Sequence, residues 1–300
     1  MRVHMTAALP EWNDALKPVQ PSAKPVENVV LPLDGNVLSR PAISVARGLS
    51  ELYDATLHVT YVGERTLDLK DAPGFLGLQG EEMRSAVFEQ IQGDPVQAVI
   101  HLTRKLPQAL IVTSTHTGRQ TNIDSFASFA ESIYQSKPER IVMVAPERGE
   151  EPWNLHRILL AHDGTPACQS ATGPAADLAQ RAGAEVVALH VAARGKKRPS
   201  KPGSFTAPQY LDQVQHEWPT WTEEFANRIL ATGAPTSRVR FQLVVTAGQP
   251  GSEVAQVARE RKSDLVIMAW HGHRDRKTCA TRVAIRNCGC PVLLVYSPGE

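Results

Sequence analysis

V-V-L-P-L-D-G, from Val29 to Gly35, and I-L-L-A-H-D-G, from Ile158 to Gly164, are one segment written twice. Each is a short apolar run closed by Asp-Gly, and each is followed by a helical pattern. A second apolar run comes next in both copies: Ala55 to Val62 (A-T-L-H-V-T-Y-V) and Ala184 to Val191 (A-E-V-V-A-L-H-V). Asp34 and Asp163, Ala55 and Ala184, and Val62 and Val191 all stand 129 positions apart, so the block repeats without an insertion. Short apolar runs alternating with helical patterns predict buried parallel strands in βαβ units. The expected fold is α/β, a doubly wound, mainly parallel five-stranded sheet made twice.

The offset then changes. Gly93-Asp94-Pro95 pairs with Gly248-Gln249-Pro250, and Leu110 to His116 with Leu265 to His271, at 155 positions, so the second copy carries 26 more residues between Val191 and Gly248. The last strands, Arg140 to Ala145 and Pro291 to Tyr296, stand 151 apart, so the second copy loses four residues after His271. Residues 1–25, with Pro10, Pro18, Pro21 and Pro25, read as an extended or disordered tail. The first domain is expected over 26–149. Its first helix follows Pro41 with the stripe Ala42, Val45, Ala46, Leu49 and Leu52, and its second helix is mostly lost before a short strand at Ala86 to Ile91. The charged stretch Glu147 to Asn154 marks the boundary. The second domain, 150–300, has a helix stripe of Ala175, Leu178, Ala179 and Ala182 capped by Gly183. It also carries a basic Pro/Gly-rich loop at 194–204, a long helix over Tyr210 to Ala231, and an alternating strand through Val239, Phe241, Leu243 and Val245.

Composition narrows the function classes. A length of 300 residues fits two domains, and a net charge of +1 gives no global field toward nucleic acid or an anionic membrane. No apolar run nears the roughly 20 residues that cross a bilayer, and the first residues lack the apolar core of a signal peptide, which reads as cytoplasmic. Four cysteines, three of them at Cys279, Cys288 and Cys290, read as reduced structural thiols rather than a disulfide framework.

Asp-Gly closes the first strand of each copy, a G-x-P turn follows the third (Gly93 to Pro95, Gly248 to Pro250), and C-P-V opens the last (Cys290-Pro291-Val292). On these residues the chain resembles the universal stress protein family in its tandem, two-domain form, from Val26 to Tyr296. The resemblance implies two Rossmann-like domains of the adenine nucleotide alpha hydrolase-like kind, in a bacterial, cytoplasmic, non-catalytic stress-response protein. In nucleotide-binding members the first-strand aspartate and the end of the second strand hold adenine, and a G-x2-G-9x-G-S/T loop holds the phosphates. Glycine there lets backbone N–H groups close on phosphate oxygens. Carried over, the candidates are Asp34, Gly35, Val62, Ser114, Thr117, Ala127 and Ser128 in the first domain, and Asp163, Gly164, Val191 and Gly272 in the second. The first loop keeps its length but replaces all three glycines, at Ser114, Thr117 and Ala127. The second reads Ala269 and Gly272, and neither Thr278-Cys279 nor Arg282-Val283 supplies Gly-Ser. The expectation is ATP or AMP held weakly in the first domain, with a degenerate second site. Family members dimerise through their last strands, and both such strands lie in this one chain. The resemblance therefore implies an intramolecular pseudo-dimer with Val142, Val144, Leu293 and Val295 near the contact, and leaves a homodimer open.

Local readings stand beside these. An aspartate before glycine at a strand-to-helix turn also suits an acceptor of backbone N–H groups, and G-x-P suits a helix start. His271, His273, Cys279, Cys288 and Cys290 resemble a metal set, but the histidines follow the fourth strand while Cys288 and Cys290 precede the fifth. Parallel strands put those ends on opposite rims, about 20 Å apart, whereas zinc ligands lie about 2.0–2.3 Å from the metal. No G-x-S-x-G, Walker A or H-E-x-x-H motif occurs. The alternatives are a nucleotide-independent dimerisation or scaffold protein, and an adenylate-type hydrolase or transferase using His116, Arg119 or His271 to Arg274.

Overall fold

All six residues of β2 (Asn28–Leu33) are buried. Val29, Leu31 and Leu33 enter one apolar cluster and Val30 the other, so this strand lies between two helical layers. A continuous apolar run is what such a central strand requires, because both of its faces leave water. The computed structural model describes residues 5–8, 25–62, 66–78, 86–115, 128–192, 239–270 and 280–297. The long helix expected over 210–231 and the basic loop at 194–204 lie outside them.

In the first half, β2, β3 (Thr56–Val62), β4 (Ala86–Ile91), β5 (Ala109–Ser114) and β6 (Arg140–Val144) run parallel in the order β4-β3-β2-β5-β6. The second half repeats this with β7 (Arg157–Ala161), β8 (Glu185–Ala192), β9 (Phe241–Ala247), β10 (Leu265–Trp270) and β11 (Val292–Tyr296), in the order β9-β8-β7-β10-β11. This is the doubly wound α/β architecture expected from the repeat. The two sheets join edge to edge, β6 antiparallel to β11, with Val142 opposite Leu293 and Ile141 opposite Leu294. One further strand, β1 (Met5–Ala8), pairs antiparallel with β9, so the sheet has eleven strands among the described residues. The tail reading assigned no strand there, since M-T-A-A carries no alternation and only long-range pairing selects it.

α1 (Pro41–Tyr53) and α5 (Thr172–Ala182) cover one face. α3 (Pro95–Lys105), α4 (Ser128–Gln135), α6 (Pro250–Glu260) and α7 (Ala280–Asn287) cover the other. Proline opens α1, α3 and α6, where its missing N–H costs nothing, so both G-x-P turns are helix starts. Asp94 caps α3 by accepting the Gln97 N–H at 2.8 Å. Gly183 closes α5 at φ +64°, as its position after the stripe predicts. The shortened connection of the first half carries α2 (Ala72–Leu76), a helix of five residues.

Both apolar clusters run through the seam. Val142, Val144, Leu293 and Val295 belong to one, and Ile141, Met143, Val292 and Leu294 to the other. Leu293→Ala is therefore expected to destabilise the whole chain by about 2–5 kcal/mol in a single urea transition, because the cavity opens where the halves share a core. A loss below about 1 kcal/mol, or two separated transitions, would show that the seam does not hold the halves together.

Candidate functional site

Since β3, β2 and β5 are neighbours, their C-terminal ends bring Asp34, Val62 and Ser114 to one edge of the sheet. Asp34 Oδ1 accepts the Asn36 N–H at 2.9 Å and the Ser39 hydroxyl at 2.7 Å. Asn36 Oδ1 in turn accepts the Leu38 N–H at 3.0 Å. This is a side-chain-closed turn of the kind Asx residues make. Gly35 sits at φ +80°, in the left-handed region, and a methyl group there would overlap the Phe75 ring. Phe75, on α2, lies against the glycine and meets Tyr61 edge to face at 5.8 Å and 88°. Ser114, in the first slot of the phosphate loop, is buried, and its hydroxyl donates to the Leu38 carbonyl at 2.8 Å. The chain itself thus fills the space beside Gly35 and engages the Ser114 hydroxyl. Ser128 opens α4. Thr117 and Ala127, like His116 and Arg119, lie outside the described residues.

In the second half the C-terminal ends of β7, β8 and β10 gather Asp163, Val191 and Trp270. Asp163 Oδ1 accepts the Thr165 N–H at 2.9 Å and the Thr165 hydroxyl at 2.6 Å. The repeat offset aligns Thr165 with Asn36 and Cys168 with Ser39, so both copies build the same closed turn from different side chains. Burial works against the Asp163 carboxylate, but hydrogen bonds from Cys168 and Thr165 outweigh it and hold its pKa below the usual value. Burial and the neighbouring Asp163 push the Cys168 thiol up to about 12. Gly164 takes φ +82°, and its N–H donates to His162 Nδ1 at 3.0 Å. His190 Nδ1 donates to the His162 carbonyl at 3.3 Å. Gly272, His271, His273 and Arg274 lie outside the described residues.

Sequence reasoning missed Phe75, Leu38 and the buried pair His162 and His190. The repeat held a signal for part of this, since His162 aligns with Leu33 and His190 with Tyr61, both buried in the first copy. Phe75 had no counterpart to compare, because the offset changes across its segment. Among the described residues the cysteines Cys168, Cys288 and Cys290 are free thiols. Burial raises Cys288, and burial with Asp264 nearby pushes Cys290 up to about 12, so neither is poised as a thiolate. Cys279 lies outside the described residues.

The family model of the universal stress proteins matches residues 154–296. No curated protein sequence matches the chain. Among solved structures, a functionally unknown protein from Pseudomonas aeruginosa PAO1 superposes with TM-score 0.63 at 14% identity, covering 91% of this chain and 93% of its own. A universal stress protein from Archaeoglobus fulgidus DSM 4304 gives TM-score 0.60 at 14% identity over 93% of this chain and 97% of its own. The cytoplasmic domain of a prokaryotic cation chloride cotransporter gives 0.50 at 14% identity, over 92% and 97%. At these identities the likeness is one of fold, and a fold does not dictate a function. No described helix is long and apolar enough to cross a membrane.

His162 generates a pH prediction. Burial lowers its pKa to about 4, against about 6.5 in an unfolded chain. Between those values the unfolded chain takes up a proton that the folded chain refuses. Stability is therefore present above about pH 6.5 and is lost as pH falls toward about 4, by up to about 3 kcal/mol. Burial also lowers His190 and His58, which adds in the same direction. Melting temperature should fall from pH 7 to pH 5, and His162→Asn, which keeps an acceptor for the Gly164 N–H, should flatten that slope. An unchanged slope in the variant would exclude His162 as its source.

Proposed function

We propose that this chain, whose residues 154–296 match the family model of the universal stress proteins, is a non-catalytic stress-response protein of the tandem form that holds no adenine nucleotide tightly. Domains at 26–149 and 150–300 form an intramolecular pseudo-dimer. One observation carries the nucleotide part: Phe75 lies against Gly35, where the resemblance puts adenine. The buried Ser114 hydroxyl, already donated to Leu38, supports the same reading for phosphate. The replaced loop glycines at Ser114, Thr117 and Ala127 point the same way, since a Cβ at each keeps backbone N–H groups from closing on phosphate.

Pairing of β6 with β11 supports the pseudo-dimer, because it covers two strand edges that separate domains would expose to other chains. The function that remains is recognition by surface rather than turnover, in the cytoplasm. A second reading, weak ATP or AMP binding in the first half, is favoured by the exposure of Phe75, 42%, which lets the ring swing out.

Titration calorimetry with ATP and AMP tests both readings. The wild-type chain should show no saturable heat below about 1 mM nucleotide. Phe75→Ala should uncover a single weak site that Asp34→Ala then removes. Micromolar binding by the wild-type chain, abolished by Asp163→Ala, would overturn the proposal.

A further inference from the structure

Among the described residues the sheet ends in β1 on one side and in β4 on the other. The repeat makes β4 the counterpart of β9, the strand that β1 covers. β9 takes β1 antiparallel on its outer side, with Gln242 to Val245 opposite Ala8 to Met5. The residues 155 positions earlier are Val87 to Gln90, the middle of β4. β4 pairs with β3 on its inner side, and no strand or loop among the described residues bonds the backbone of its outer side. One half therefore shows this edge occupied by an antiparallel strand, and the other shows the same edge open.

Natural proteins blunt a bare edge with proline, lysine, a bulge or a very short strand. β4 (A-V-F-E-Q-I) has six residues and neither proline nor lysine. Its register with β3 runs unbroken from Ala86 opposite Leu57 to Ile91 opposite Val62, so no bulge turns it away. Glu89 is its only charge. Ala86 and Phe88 pack against the cluster on the α1 side of the sheet, which puts Val87, Glu89 and Ile91 on the opposite face. Val87 is 43% exposed there.

We propose that β4 pairs antiparallel with β4 of a second copy of this chain, about a twofold axis normal to the sheet at Phe88. The internal seam supplies the geometry, since β6 and β11 end two parallel sheets and join antiparallel with residues of like face opposite one another. A second β4 repeats that junction without giving up any pairing, whereas β1 of another copy would first have to leave its β9. Twofold pairing also closes on itself, so assembly stops at two chains. Charge then selects the register. Two twofold registers pair five residues of each strand, Ala86 to Gln90 or Val87 to Ile91. The second sets the two Glu89 carboxylates opposite each other, which is unfavourable. The first pairs the two Phe88 rings and sets each Val87 opposite the other copy's Glu89. So short a strand makes a weak dimer, with a Kd on the order of 10 µM. The interface is independent of the nucleotide reading, because it uses none of the same residues.

The test is sedimentation equilibrium of the full chain from about 1 µM to about 500 µM, with hydrogen exchange read at both ends of that range. The wild-type chain should pass from monomer to dimer, and the amides of residues 86–90 should gain protection as it does. Val87→Glu puts a carboxylate opposite each Glu89 and should weaken the dimer by about tenfold, while Val87→Lys puts an ammonium there and should tighten it by roughly threefold. Because residue 87 is exposed, an effect acting only through the fold of the monomer would move both variants the same way. The proposal fails if the wild-type chain stays monomeric at about 500 µM, or if it dimerises without protecting residues 86–90. It also fails if Val87→Glu and Val87→Lys shift the dimer in the same direction, which would place the contact on another surface or in another register.

Discussion

The antiparallel pairing of β6 with β11 is the constraint on which the rest depends. Strands that end a parallel sheet expose a row of unsatisfied N–H and C=O groups, and here each half satisfies the other's. Backbone pairing fixes register, and register fixes side chains. With Val142 opposite Leu293, the alternating residues of both strands fall into the same two layers, so each apolar cluster contains residues of both halves. Side chains brace the seam on either face. Arg181 of α5 donates to the Leu52 carbonyl at 3.3 Å and lies 4.9 Å from the Tyr53 ring centroid, while Tyr134 of α4 meets Trp270 at 4.0 Å.

Much of the fold was legible because period and punctuation agree. The stripe from Ala42 to Leu49 is buried as a helix face must be, Pro41, Pro95 and Pro250 open helices, and Gly183 ends one. β1 was not legible, since nothing local in M-T-A-A prefers a strand. The candidate site was legible only as positions. Sequence spacing brought Asp34, Val62 and Ser114 to one edge, but it could not tell that Phe75 would lie on Gly35 or that Ser114 would turn to Leu38. Both contacts join residues dozens of positions apart, and Phe75 lies in the connection whose length differs between the copies.

The two Asp-Gly turns show why a motif can outlast the chemistry associated with it. In both copies the aspartate closes the turn after its strand by accepting a backbone N–H and a side-chain hydroxyl. Glycine then supplies a positive φ, +80° in one and +82° in the other. Those requirements belong to the backbone. The turn itself holds Asp and Gly there, with or without a ligand.

Because the two parallel sheets meet through an antiparallel pair at the seam, the carboxyl ends of one half's strands lie beside the amino ends of the other's. The molecule therefore has no functional top or bottom. Each long rim combines the Asp-Gly edge of one half with the opposite edge of the other, and the two Asp-Gly edges are separated by a strand's length, about 20 Å. A flat partner laid along one rim would touch a single Asp-Gly turn and leave the other facing away.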